Sequence, residues 1–339
     1  MVKILENVSL KHYSTMQLGG IARYCIHANT EAELLEAVAW AEAKKLKLKV
    51  IGSGSNIVWG DAGFDGLVVV MAIKKFEITQ DARVRIGAGN DWDEVVEKTV
   101  KAGLSGLEDL SYIPGTAGAT PVQNVGAYGQ EISKVLISLR AYDHQIKDFV
   151  EIKNADCTFG FRTSRFKTTD KNCFIITSIT LQLSSQPPTP PFYESLQGYL
   201  DENNILEFTP QNIRDAVIAI RTDKLPDPHE FANDGSFFIN PVIDGVSYEK
   251  LKLKYPDIKS WEMPDGRFKI AAGWLIEQAG FKDYHDPETG MATWSKQALV
   301  LVNEHAKTTQ DLLTFKQKIV DAIQAKFGII LEQEPELIL

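Results

Sequence analysis

The chain has 339 residues, 44% of them hydrophobic and 24% charged, with a net charge of −9. That length supports two or three domains with real cores, and the acidic balance excludes a nucleic-acid-binding surface, which needs clustered Lys and Arg. A local basic pocket for an anionic small molecule is still allowed. The cysteines, Cys25, Cys157 and Cys173, are odd in number and lack metal-type spacing, so we expect reduced thiols in a cytoplasmic protein and no metal site. Met-Val-Lys-Ile-Leu-Glu-Asn turns polar too early for a signal peptide, and no run approaches the roughly 18 apolar residues of a membrane span.

In chain order, Tyr24–His27 reads as a strand. Thr30 and Glu33 then form a capping box for a helix with Leu34, Val38 and Ala41 on one face. Strands are expected at Leu48–Ile51, Gly66–Met71 and Val84–Ala88. Asp91 and Glu94 open a second helix that stops near Gly103. The middle is rich in strands, at Val135–Tyr142, Asp148–Lys153 and Phe174–Leu183. The proline run Gln186–Pro191 is a stiff linker. Asn212–Arg221 reads as a helix, and an α/β unit spans Phe237 to about Leu301. Thr308 and Asp311 cap a last helix carrying Leu312, Phe315, Ile319 and Ile323, which ends at Gly328. A strand is expected at Ile329–Leu331, before the acidic end Glu332-Gln-Glu-Pro-Glu336.

The stretch Ser111–Glu131 holds four glycines and two prolines but few charges. Its side chains Thr116, Gln123, Asn124 and Tyr128 are uncharged donors and acceptors. Glycines so spaced let backbone N–H groups approach a ligand or take positive φ. By itself the stretch is either an ordinary long loop or a cofactor wall. Gly52-Ser-Gly-Ser-Asn56 follows a strand, and successive N–H groups there can form an anion nest. A plain tight turn serves as well, and no Rossmann fingerprint is present, because no helical pattern opens after the loop. Arg162 lies between Phe161 and Phe166, where a guanidinium would be a permanent charge in a partly apolar place. Ile220–Pro228 is a turn with two cations, and Ser236 lacks the Gly-x-Ser-x-Gly elbow of a hydrolase.

Taken together these pieces resemble the UDP-N-acetylenolpyruvoylglucosamine reductase family. The matching segments occur in that family's order: Gly52–Asn56, Gly106-Leu-Glu-Asp-Leu110, Ile113-Pro-Gly-Thr-Ala-Gly118, Gln123-Asn-Val-Gly-Ala-Tyr-Gly129 and Phe161–Lys167. They continue with Ile220–Pro228, Gly235-Ser-Phe-Phe-Ile-Asn-Pro241, Ala271–Ile276, Gln297–Asn303 and Leu331-Glu-Gln-Glu334. The insert with Tyr193 looks like the longer form, in which a tyrosine loop closes over substrate.

The resemblance implies an α+β protein of three domains: an FAD-binding fold of the PCMH, or vanillyl-alcohol-oxidase, type plus a C-terminal α/β substrate-binding domain. The expected boundaries are 1–72 and 73–222 for two FAD-binding subdomains and 223–328 for the substrate domain, with 329–339 packing back toward the active site. It implies non-covalent FAD, NADPH as reductant, and a UDP-sugar and NADPH sharing one site. Hydride would pass from flavin N5 to C3 of the enol ether, and a serine would protonate C2. A cytoplasmic monomer is expected, with no membrane or nucleic-acid partner.

Residue by residue, Arg162, Ser236 and Glu334 match the catalytic positions. Gly52, Ser53, Gly54, Ser55 and Asn56, with Ile113, Pro114, Gly115, Gly118, Ala119, Gln123, Asn124 and Gly126, match cofactor-binding positions. Tyr128, Tyr193, Lys224 and Asn240 match substrate-binding positions. The chain departs from the family pattern at Phe161 (commonly Tyr), Asp234 (a small residue), Ile239 (Lys), Trp294 (His) and Pro335 (an aliphatic). The last leaves Glu336 as an alternative to Glu334. Other flavoenzymes of this fold tether FAD through a loop histidine, and Ser111–Glu131 has none.

Overall fold

The computed structural model describes residues 2–339, which divide into two compact units. The first comprises residues up to Val8, then Ala22–Ser53 and Asp65–Asp223; the second comprises Ser9–Ile21, Gly54–Phe64 and Lys224–Leu339. No helix among the described residues is long and apolar enough to cross a membrane.

The first unit holds two sheets. One runs in the order Leu5–Ser9, Ile21–Ala28, Phe64–Met71, Lys47–Ile51, and its last two strands are parallel. Helix α1 (Glu31–Ala43) connects Ile21–Ala28 to Lys47–Ile51, and residues 52–63 join Lys47–Ile51 to its parallel partner. The Thr30 hydroxyl accepts the Glu33 N–H, and Leu34, Val38 and Ala41 are buried as expected. The Glu33 carboxylate reaches back to the N–H of Asn29 at 2.7 Å. The second sheet is antiparallel, in the order Asp148–Lys153, Leu136–Asp143, Phe174–Gln182, Arg83–Gly87, Phe76–Ile78. It packs on α2 (Trp92–Lys101), capped by Asp91 and buried through Trp92, Val95, Val96 and Val100.

After the proline run, α3 (Glu194–Glu202) and α4 (Pro210–Lys224) form a hairpin with its own small core. Leu196 and Leu200 of α3 meet Ile213, Ala216 and Val217 of α4. The sequence reading found α4 but not α3, whose apolar signal is only the Leu196/Leu200 pair.

The second unit carries an antiparallel sheet in the order Ala232–Ser236, Gln297–Asn303, Met291–Trp294, His285–Asp286. Helices α5 (Gly245–Lys254), α6 (Ala272–Gln278) and α7 (Thr309–Phe327) accompany it. The capping box at Thr308 and Asp311 is complete, and Gly328 ends α7 at φ 69°. Leu312, Phe315, Ile319 and Ile323 enter the main core with Met16, Val58, Phe237 and Phe238.

The expected strand at Ile329–Leu331 is not formed. Ile329 and Leu331 are buried in the core while Ile330 is exposed, so the triplet anchors the chain without a ladder. The terminal strand is Glu336–Ile338 instead, parallel to Ile57–Trp59.

Candidate active site

Within the first unit, Ser111–Glu131 is a closely bonded wall rather than a slack loop. Ser111, Thr116, Thr120 and Asn124 are buried polar residues. Backbone bonds tie Ala117 N to Asn90 O and Gly118 N to Ala88 O, each at 2.9 Å, and Trp92 N to Gly115 O at 3.0 Å. An added Cβ at Gly118 would run into Ala88, and one at Gly52 into the Thr116 hydroxyl. Gly52 thus packs directly on the Thr116 side chain and Gly118 on Ala88, approaches that an added Cβ would obstruct. Pro114 and Ala119 keep an exposed face.

Asn124 is 1% exposed, and its side chain is committed to the wall itself. Its Nδ2 donates to Glu131 Oε2 at 3.0 Å and Gly160 O at 3.1 Å, and its Oδ1 accepts from Ser133 N. What Asn124 offers a ligand is loop shape and backbone.

Arg162 sits at φ 53° in a tight turn closed by Gly160 and Thr163. Its Nη2 donates to Gly126 O at 2.7 Å, and its guanidinium carbon lies 5.5 Å from the centre of the Phe161 ring. The expected partly apolar setting is present, and it places the cation against the wall's end. Two residues on, Tyr128 has φ 47°, and burial raises its phenol above the ordinary value. The Tyr128 and Tyr193 rings meet edge to face at 6.0 Å, with Tyr193 45% exposed.

In sequence Arg221 is both the last residue of the expected helix Asn212–Arg221 and one cation of a turn, and no site role is expected of it. It lies on α4, hydrogen-bonds Tyr128, and donates through Nε to Tyr112 O at 3.1 Å. Burial lowers its guanidinium below the ordinary value.

Within the second unit, Ser236 ends its strand on the exposed side, paired with Val300. On the other side of this segment lies the C-terminal chain. Glu334 N donates to Phe237 O at 2.9 Å and Ile239 N to Glu332 O at 2.9 Å, with Phe238 opposite Gln333. Glu336, by contrast, donates its N–H to Asn56 O at 3.0 Å. The backbone of Glu334 is thus one residue from Ser236, whereas Glu336 lies at the end of the glycine loop. Asn240 Oδ1 accepts from Ala272 N at 2.9 Å and caps α6, and Lys224 is exposed at the end of α4.

Asp234, two residues before Ser236, is only 5% exposed. Burial pushes its carboxyl well above the ordinary value, against the Thr15 hydroxyl and the Met16 N–H. No group of three or more His, Cys, Asp or Glu among the described residues could hold a metal.

The glycines of the first unit let its own segments pack closely, buried polar residues shape the stretch they build, and a guanidinium is fixed at one end, a setting compatible with a large dinucleotide cofactor. The comparisons with known proteins agree. Residues 22–145 match a family model described as an FAD binding domain. Residues 227–338 match the C-terminal domain of UDP-N-acetylenolpyruvoylglucosamine reductase. A protein of that name from Cupriavidus pinatubonensis is 42% identical over 339 residues, covering 99% of each chain. Another from Ralstonia nicotianae is 40% identical over 336 residues, covering 97% of each. The crystal structure of the reductase from Thermus caldophilus superposes with a TM-score of 0.69 over 99% of this chain and 98% of its own. At 22% identity that likeness concerns the fold.

Proposed function

This chain belongs to the UDP-N-acetylenolpyruvoylglucosamine reductase family, and from that premise we propose how it works. It reduces the enolpyruvyl ether of UDP-N-acetyl-3-O-(1-carboxyvinyl)-glucosamine to UDP-N-acetylmuramate, an oxidoreductase step in cytoplasmic peptidoglycan precursor synthesis. NADPH is the reductant and shares one site with the UDP-sugar. Residues 1–72 and 73–222 serve the cofactor, and 223–328 serve the substrate.

FAD, when bound, carries the hydride between NADPH and substrate. Gly52–Asn56 and Ile113–Gly126 hold it, by backbone N–H groups and close approach rather than by charge. Hydride addition at C3 leaves negative charge shared between C2 and the neighbouring carboxylate. Arg162 is the fixed positive charge that this enolate requires. Ser236 gives its hydroxyl proton to C2. A serine is a weak acid, but the carbanion is a strong enough base to take that proton, so the step waits for hydride. Glu334, in its protonated form, donates a hydrogen bond to the same enolate beside Arg162 and keeps its own proton. Tyr128, Tyr193, Lys224 and Asn240 grip the nucleotide sugar.

The observation that carries the assignment of Ser236 and Glu334 to one centre is the Glu334 N–H bond to the Phe237 carbonyl. The test is a split flavin assay. NADPH should bleach the yellow protein, and the enolpyruvyl nucleotide should restore the colour rapidly. A reduced protein that this nucleotide fails to reoxidise would end the proposal.

A further inference from the structure

Helix α4 carries two arginines seven residues apart, which is two turns, so both lie on one face. Arg214 forms a bidentate pair with Asp93 in the first turn of α2, Nη1 to Oδ1 at 2.7 Å and Nη2 to Oδ2 at 2.8 Å. Arg221 binds the Tyr112 carbonyl. The N–H of Tyr112 in turn donates to Asp93 Oδ1. Tyr112 has φ 57° and opens the Ile113–Gly118 part of the wall. Asp93 therefore serves two neighbours at once, the wall through Tyr112 and the hairpin through Arg214.

The pair is a costly way to glue a helix. The Arg214 side chain is 8% exposed and that of Asp93 29%, so both charges give up most of their hydration. Burial pushes the Asp93 carboxyl upward, and the bonds from Arg214 and Tyr112 outweigh it, leaving it below the ordinary value. What a bidentate fork adds over an apolar contact is register: it fixes both the axial position and the roll of α4. That roll passes to the tyrosine. Ile213, Ala216 and Val217 of α4 hold Leu196 and Leu200 of α3. Tyr193 is the N-cap residue of α3, its carbonyl accepting from Leu196 N and Gln197 N, each at 2.9 Å. The hairpin has its own core, so the pair is not needed to form it.

We propose that Asp93 and Arg214 are positioning residues for substrate binding: their fork sets the α3–α4 hairpin so that Tyr193 stands against Tyr128. This rests on the reading of the two tyrosines as the UDP-sugar grip. The pair acts through the hairpin and touches neither substrate nor cofactor.

Three variants separate this role from a general structural one. R214M keeps the stem and the Asp93–Tyr112 bond but loses the fork. D93N loses the charge yet keeps an oxygen for the Tyr112 N–H. D93A loses both. The holoenzyme is assayed for KM and kcat with the enolpyruvyl nucleotide and for the rate of FAD release. R214M and D93N should raise KM about tenfold or more, a 1.4 kcal/mol change. Both should leave kcat within about twofold and FAD release at the wild-type rate, since only uniform binding is lost. D93A should add faster FAD release, and R214K, whose point charge cannot fork, should fall between wild type and R214M. FAD release from R214M as fast as from D93A would overturn the proposal, as would an unchanged KM. Should the wild type fail to turn over the nucleotide, the functional reading falls instead; the ordering of FAD release still tests the division of labour at Asp93.

Discussion

The Thr15 hydroxyl donates to Asp234 Oδ1 at 2.8 Å, while Asp234 Oδ2 has no partner among the described residues. A carboxylate left so is costly in a buried place, and burial pushes the group toward its neutral acid form. The bond joins the strand of Ser236 to the segment Ser14–Met16. Thr15 N in turn donates to Gly54 O at 3.1 Å, in the glycine loop. The folded value is raised, so this acid's contribution to stability is full below its ordinary 3.8 and is lost as pH rises toward the raised value. Asp234→Asn keeps the Oδ1 acceptor and cannot titrate. It should melt with the wild type near pH 4 and higher than the wild type at pH 8. Thr15→Val should cost about 1 kcal/mol at either pH. A D234N protein less stable than wild type at pH 8 would mean that an ionised, paired carboxylate sits there.

Ser236→Ala should divide the reaction. The exposed hydroxyl has no acceptor to satisfy in the fold, so the variant should melt within about 0.5 kcal/mol of wild type. NADPH should bleach the flavin at the normal rate, and reoxidation by the enolpyruvyl nucleotide should slow by about 10² to 10⁴, the range for a positioned proton donor. Stopped-flow absorbance of the two half-reactions measures both. An equal fall in both would remove the proton-donor role.

Much of this was legible locally. The N-caps at Thr30, Asp91 and Thr308 and the αL stop at Gly328 follow the sequence, because capping joins residues three apart. Among the described residues the expected reciprocal box is complete at Thr308–Asp311, but not at Asp91 or at Thr30, where Glu33 reaches Asn29 N instead. The C-terminal strand was misplaced for the opposite reason. Ile-Ile-Leu at 329–331 has strand composition, but the ladder partner, Ile57–Trp59, lies far away in sequence and pairs with Glu336–Ile338. The fork between Asp93 and Arg214 spans 121 residues, and nothing in either neighbourhood marks it. The stretch Ser111–Glu131 reads equally as a loop or a cofactor wall in sequence, and its order comes from backbone bonds to Ala88 and Asn90 that its composition does not announce.

Asp109 gives a pH-dependent prediction with a defined window. Burial, helped by the neighbouring Glu108, pushes it up to about 7. Its contribution is full below the ordinary 3.8 and is lost as pH rises from about 4 to 7. Asp109→Asn should therefore flatten the stability profile across that interval and melt higher than the wild type at pH 8. Denaturant midpoints at unit pH steps check it, and an unchanged profile would place the carboxyl at an ordinary value.

Glu334 and Glu336 are distinguished by what their backbones hold. The Glu334 N–H is bonded to the carbonyl next to Ser236, whereas the Glu336 N–H is bonded to Asn56, where the pairing with Ile57–Trp59 begins. A hydrogen-bond donor to the developing enolate must be brought within reach of it, and geometry precedes acidity in choosing that donor. The bond at Phe237 provides that tether for Glu334. Glu334→Gln should lower reoxidation by the enolpyruvyl nucleotide about 10²-fold or more while leaving NADPH bleaching intact. Glu336→Gln keeps the strand backbone and should leave both half-reactions within about threefold of wild type, the effect of a surface change away from the chemistry. The reverse pattern would move the acid two residues along the chain. It would also mean that the parallel pair with Ile57–Trp59, and not the bridge at Phe238, is what delivers the C-terminus to the site.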